Sequence, residues 1–566
     1  MLQSDPINLI PADGRQAVER LIRRLGWTLV ALGGAGLAVW WAGGEWLVRE
    51  WLGADLSRAP ALIRLHASLD PEVRDLDYFL AMALPAGTRL FALTGLAGVV
   101  LARSRWSIAL ARLFERKADC RDLAFFRVVV FLSLAAYTQP AEIGRFADLP
   151  PDLLLAPVGW GWLLGFMPLS SVWAVPLAWL LIGASLAAAV GFRPRVTSWL
   201  AVGLGVVVLG IPQFYGKINH FHHLIWFTAI VAASPAWDVW SLGAWRTQAS
   251  GAVSPTGQRT GSASCGLHYG RPLVWVWLLI GLIYFFPGLW KAAVDAAAWM
   301  DGSAMATMLH AQWFRMDAVP PIRVDLGGLS MLAGSAVLVF EIGFIFALAS
   351  PSSRAVFVLG AALFHLGVFL LAGINFWSLA VCLVAFIPVG YLVDRLRGVP
   401  PEGAAPAPPP AAGRHPDLRV NRLGAVLVGL MLMAGLTGLD TWPVAVYPTF
   451  AGIPDHLYAT LMLETSDGER IDPYRSGGLR SAFGQSRIMG LAWQLGRVGE
   501  DSKGRARSVL EAFAPFDSRL VPGDSVDVLV VHLDIRPESR REIRSIRLGR
   551  FAVGDGSPGV SPQLQR

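Results

Sequence analysis

Three groups of polar residues interrupt stretches that are otherwise apolar, and each has the chemistry to move a proton. Asn219-His220-Phe221-His222-His223 opens one apolar stretch, Lys291 follows Tyr284-Phe-Phe-Pro-Gly-Leu-Trp290 at the end of the next, and Glu341 and His365 fall within two later ones. A polar side chain in hydrocarbon costs several kcal/mol unless it is paired or solvated. A desolvated lysine loses its proton readily, which leaves a neutral amine able to act as a base. Each residue also has a plainer reading. Lys291 at a helix end can be an anchor that reaches the interface, and the histidines can be interfacial groups satisfied by water. His220 and His223 share a helical face, yet no acidic or cysteine partner lies near them in sequence, so no metal is expected. His365 serves either an interhelical hydrogen bond or a cofactor contact. Glu341 is either neutral and packed or part of a proton relay. Tyr284 is set aside, because the intervening helix separates it from Lys291.

The elements that must position these groups are membrane spans. Apolar residues make up 54% of the chain and charged ones only 16%, with 23 Trp, whereas a soluble domain carries about a quarter charged residues. Apolar stretches fall at 26–43, 81–102, 122–138, 171–191, 196–213, 220–236, 272–290, 327–349, 355–372, 375–393 and 423–439. Each is roughly 17–23 residues, enough to cross a hydrocarbon core of about 30 Å. The expected fold is therefore an all-α polytopic bundle of about eleven transmembrane helices, with a small C-terminal α+β extramembrane domain. The first stretch, near Trp27 to Gly43, reads as a span rather than a removed leader. The shorter segment 155–168 is expected at the interface or as a re-entrant piece. Cys120, Cys265 and Cys382 form neither a zinc pattern nor a disulfide framework.

Charge divides the chain. From Asp440 onward there are 16 Lys+Arg against 16 Asp+Glu, so the net excess of +7 lies in the membrane part and argues against a nucleic-acid partner. The basic residues crowd alternate loops, among them Arg103 to Arg121, Arg193 and Arg195, and Arg395 to Arg422. They fall on the side of Arg20, Arg23 and Arg24. The positive-inside rule then places the N-terminus in the cytoplasm of a multi-pass cell (inner) membrane protein and the C-terminal domain on the periplasmic or extracellular side. Residues 246–271 and 399–416 read as flexible cytoplasmic connections. The organisation expected is N-terminal spans and a basic loop (1–121), a transmembrane core (122–398), a Pro/Ala-rich linker (399–422), a last span (423–439) and the outer domain (440–566). In that domain HLYATLMLE (456–464), TSDG and the residues to Tyr474 suggest a hairpin. SVDVLVVHLDI (525–535) and 543–553 suggest two further strands, and 503–515 a helix.

The segments NHFHHLIWFTAIVAASPAWDVWS (219–241), YFFPGLWKAAVDAAAWMDG (284–302) and FHLGVFLLAGINFWSLAVCLVAFIP (364–388), in that order and spacing, resemble the vitamin K-dependent γ-carboxylase family within the wider HTTM (horizontally transferred transmembrane) domain group. TSDGERIDPY (465–474) is similar to the strand-turn-strand after that family's last helix. The resemblance implies a γ-carboxylase-like lyase in which Lys291 is the catalytic base and His220 its neighbour. Asn219 and His365 would then belong to the substrate and cofactor site, and Glu341 is assigned to it from its place within a span. It implies a reduced quinone (vitamin K hydroquinone or a menaquinol-like lipid) as cofactor, with CO2 and O2 as co-substrates. Membrane lipid and lipid quinone are the implied partners, together with a secreted or membrane protein substrate. Trp290 stands where those carboxylases have a second lysine, and the tail is shorter than theirs. A non-catalytic lipid-binding or scaffold protein of the same group is the alternative.

Overall fold

The computed structural model describes residues 12–52, 76–103, 112–154, 170–215, 221–249, 265–316, 327–398, 416–437, 441–445, 457–483, 502–536 and 541–554, with a few isolated positions between them. Helices α1 (Ala12–Leu52) and α2 (Leu76–Ala102) pack against each other as a pair at the start of the chain. A two-residue strand β1 (Ala118–Asp119) leads into α3 (Cys120–Tyr137), α4 (Pro140–Ala147), α5 (Ser171–Ala189) and α6 (Pro194–Val208). Next come α7 (His223–Ala232), α8 (Leu242–Ala249), the strand β2 (Cys265–Gly266) and the long helix α9 (Leu267–Met300). Then follow α10 (Ser303–Met316), α11 (Gly327–Gly343), α12 (Pro351–Ala372), α13 (Trp377–Ala380), α14 (Val389–Leu396) and α15 (Pro416–Thr437).

Among the described residues, eight helices are long and apolar enough to cross a membrane, and nine if the pair Trp377–Phe386 and Val389–Leu396, bent by 66°, is one span. The other two expected stretches take different forms. α3 has 18 residues but carries Arg121, Asp122 and Arg127, and α7 has only 10 residues. The lipid-facing reading rests on side chains as well as length. Val339 is 71% exposed, Val356 67% and Leu332 66%, which in water would be an aggregation hazard and in hydrocarbon is solvation. α9 is the opposite case: apolar on every side and largely buried, it forms the axis around which the other helices pack.

Charge is used sparingly inside the bundle, and each buried charge has partners. Fully buried Arg127 on α3 donates to the carbonyls of Ala236 (2.6 Å), Val239 (3.3 Å) and Trp240 in the turn after α7, and lies over the Trp237 ring. It satisfies backbone acceptors of the turns between α7 and α8, which belong to no helix. At the same end of α3, Arg121 bridges Asp119 (2.7 Å) and Asp394 of α14 (2.6 Å).

One sequence expectation about linkers needs revision, and the other is not covered by the described residues. Residues 250–264 and 399–415 lie outside the described residues, but Arg246 belongs to α8, and Cys265–Gly266 forms β2, paired antiparallel with β1. α9 begins immediately afterwards at Leu267, several residues earlier than its apolar run suggests, because a backbone ladder with β1 gives it a fixed start. Most of 155–168 is likewise outside the described residues.

The C-terminal part forms a four-stranded antiparallel sheet of order β4-β3-β5-β6, from β3 (Leu457–Thr465), β4 (Arg470–Ile471), β5 (Ser525–Asp534) and β6 (Arg541–Ala552). α16 (Gly477–Phe483) and α17 (Ser502–Phe513) complete it. Ala506, Val509, Leu510 and Phe513 are buried at the i, i+3, i+4, i+7 spacing of one helical face. The sheet domain is seated on the bundle. Arg145 of α4 donates to the carbonyls of Ser481 (3.2 Å) and Ala482, Phe146 packs on Phe483, and Arg475 lies 5.1 Å over the Phe314 ring of α10. Both α4 and α10 follow the far ends of helices that start at β1 and β2. The sheet domain and the β1–β2 ladder therefore occupy opposite ends of the bundle.

Candidate functional site

Gly288 decides where the site forms. A Cβ there would lie 2.8 Å from the Glu341 Cβ and 2.9 Å from the Ile342 nitrogen, so only glycine lets α9 and α11 approach this closely. Tyr284, Gly288 and Lys291 stand at i, i+4 and i+7 on one face of α9. The close approach brings the Lys291 ammonium nitrogen within 2.5 Å of both Glu341 carboxyl oxygens. The pair is nearly sealed, with side-chain exposures of 4% and 6%. The Trp299 ring covers Lys291 from 5.0 Å. Just beyond, α9 breaks at Asp295, which leaves the helical region and accepts the Ala298 N–H at 3.0 Å. Arg89 of α2 donates to the Ala293 carbonyl (3.0 Å) at the same break.

Two turns earlier, the Tyr284 hydroxyl is 2.5 Å from His365 Nε2. This contact corrects the dismissal of Tyr284: the phenol faces a neighbouring helix, so its separation from Lys291 along α9 does not matter. Tyr284 lies within electrostatic reach of Glu341, so the two couples adjoin. Aromatic rings wall them in. Phe344 stacks on Tyr284 with centroids 4.3 Å apart, and Phe340 stacks on Phe364 at 5.3 Å. His223 is fully buried, hydrogen-bonds the Ser378 backbone and lies within electrostatic reach of His365. His222 is buried beside Trp226, 4.6 Å between ring centres.

Lys291, Glu341, Tyr284 and His365 are thus assembled from α9, α11 and α12, with His223 of α7 beside them. Asn219 and His220 lie outside the described residues. What sequence reasoning passed over was Tyr284, Gly288 and Trp299. The signal was present in YFFPGLWK, where a phenol, a glycine and a lysine share one helical face while Glu341 and His365 need partners.

Two buried polar atoms bear on whether a polar ligand suits this place. His365 Nδ1 and the Trp299 indole nitrogen have no hydrogen-bond partner among the described residues. Buried polar atoms are normally satisfied, and an apolar wall with a few convergent polar atoms is what an aromatic ligand bearing oxygens requires. Comparison of the chain with protein-family models, with curated proteins and with solved structures finds no match.

Proposed function

We propose that the protein is a membrane enzyme of the γ-carboxylase-like type, in which Lys291 is the general base toward a reduced lipid quinone and drives carboxylation or oxygenation at the outer face. One observation carries this reading: a lysine and a glutamate share a nearly sealed contact beside a tyrosine–histidine couple. A reduced quinone supplies a weakly acidic hydroxyl and two electrons for dioxygen. Lys291 in its amine form accepts a proton. Glu341 holds the Lys291 nitrogen in place through both of its carboxyl oxygens. The Tyr284 hydroxyl orients His365, which leaves Nδ1 directed elsewhere for a ligand oxygen. Phe340, Phe344 and Phe364 exclude water, which protects a strongly basic product from quenching. The outer-face assignment rests on loop charge together with the position of Lys291, on the half of α9 nearer the sheet domain.

The buried pair itself favours a second reading. Lys291 and Glu341 would also serve a non-catalytic lipid-binding scaffold, simply by fastening α9 to α11. Oxygen consumption with a reduced quinone separates the two. Lys291→Met should abolish it, and Lys291→Arg should do the same, because a guanidinium stays protonated. Full activity in the Arg variant would end the general-base mechanism. Phospholipid without any quinone in lipid extracts of the purified protein, together with no quinol-dependent turnover, would establish the scaffold.

A further inference from the structure

Trp299 reaches Lys291 from eight positions further along α9. In an unbroken helix that separation is about 12 Å along the axis, yet the Trp299 ring centre lies 5.0 Å from the Lys291 nitrogen. The break at Asp295 accounts for the difference. The helix up to Val294 ends there, and Asp295 begins a new turn by accepting the Ala298 N–H at 3.0 Å. A helix C-terminus leaves its last carbonyls without intrahelical donors. Arg89 of α2 donates to two of them, on Ala293 (3.0 Å) and Val294, and its positive charge suits the negative end of the helix dipole.

The turn that carries Trp299 is fixed from its other side as well. A Cβ on Gly334 would lie 2.1 Å from the Trp299 carbonyl oxygen, so α11 runs directly against this turn. Ser335 donates to the Met300 carbonyl at 3.2 Å, and Gly302, at φ +85°, turns the chain into α10. The indole is therefore held at a set position and is 1% exposed. Its N–H nevertheless has no acceptor among the described residues. Trp299 clusters with Met305, Met308, Leu309 and Leu338, whose side chains offer nothing better than a thioether sulfur. Other indoles of the bundle are satisfied: Trp277 donates to Ala385, Trp290 to Gly435 and Trp313 to Leu371, each at 2.7–2.8 Å. Among the described residues, the buried indole left without an acceptor is the one beside Lys291.

We infer that Trp299 is a further ligand-binding residue of the Lys291 site, its indole N–H donating to the hydroquinone oxygen from which Lys291 takes the proton. This rests on Lys291 acting as the general base. As the O–H bond breaks, its proton forms a new N–H bond on the Lys291 amine and the electron pair stays on oxygen. A donor held at that oxygen, away from water, stabilises the charge as it develops. Two hydrogen bonds of about 2.9 Å each span the 5.0 Å between the Lys291 nitrogen and the ring, so one oxygen can meet both groups. The break in α9, clamped by Arg89, is what brings the donor there.

The test is quinol-dependent oxygen consumption by the full chain in detergent, with a naphthohydroquinone and a chlorinated naphthohydroquinone as probes. Trp299→Phe keeps a ring over Lys291 and removes the N–H. It should lower kcat about tenfold or more while changing KM less. The loss should be smaller with the chlorinated quinol, whose phenolate is less basic and needs less stabilisation. A change in packing alone would affect both quinols alike. Should Trp299→Phe not purify as a single species, Trp299→Leu carries the same comparison. Full kcat in the variant, or an equal loss with the two quinols, overturns the inference and leaves Lys291 as the base. No turnover by the wild type with either quinol removes the general-base reading, and this inference with it.

Discussion

Lys291–Glu341 in the bundle and Asp527–Arg550 in the sheet are both close ion pairs, 2.5 Å and 2.7 Å, yet their surroundings make them different objects. Lys291 and Glu341 are both sealed from water, Lys291 beneath the Trp299 ring. Asp527 is buried near the start of the central strand β5, but its partners Arg550 and Arg547 on β6 are 59% and 56% exposed. Water screens the second pair and barely reaches the first. An exposed pair contributes little because its partners are already well solvated apart. A sealed pair contributes little net stability when intact, since burial has cost both charges their hydration, and yet breaking it is severe. Contact distance therefore says less about an ion pair's role than its access to water.

The strongest way to break this comparison is to remove one partner of each pair. Lys291→Met should destabilise the protein by about 3–5 kcal/mol, because Glu341 is left buried and alone, whereas Lys291→Met with Glu341→Leu should recover most of the loss. Thermal or denaturant unfolding in detergent measures it, and a single-variant loss below about 1 kcal/mol would mean that water reaches the pair. An intermediate effect is expected from Tyr284→Phe, which strands His365 Nε2. The cost should be about 1–3 kcal/mol, with Phe344 stacking retained, and no measurable cost would show that the histidine finds another partner. The smallest effect belongs to Asp527→Asn. The hydrogen bond from Arg550, opposed by desolvation and helped by Arg547, holds the Asp527 carboxyl below its usual value of 3.8. Its contribution is therefore complete above the ordinary carboxylate range and fades as pH falls through the depressed folded value. Unfolding curves of wild type and variant should differ at neutral pH and converge in acid. A gap that widens in acid would reverse the sign of the shift.

The strands were the easiest elements to read, because alternation of apolar and polar residues in 525–535 and the Thr465-Ser-Asp-Gly468 turn act within a few residues. β5 runs Ser525–Asp534 and β3 ends at Thr465, the positions where that local chemistry places them. Span boundaries were harder. Hydropathy sees transfer to lipid and cannot distinguish it from burial among helices, so the 10-residue α7, wholly buried, reads as a span in sequence. Arg127 shows the same limit from the other side, since a charge within an apolar stretch looks costly until the carbonyls of Ala236 and Val239 come into view.

Composition and charge pattern by themselves point to a mostly helical chain with several helices long and apolar enough to cross a membrane, to a small sheet near the C-terminus, and to Lys291, Glu341 and His365 as residues that need partners. Those conclusions follow from solvation, which is a property of each residue and its immediate neighbours. Which partner each residue receives is a matter of geometry between segments far apart in sequence. Lys291 meets Glu341 fifty positions away because Gly288 admits α11. Tyr284 reaches His365 because α12 passes the same face of α9. Arg116 and Arg354 share Trp277 because Gly270 lets the chain before β1 lie on that helix. Close helix packing, which no local pattern encodes, turned isolated polar residues into couples.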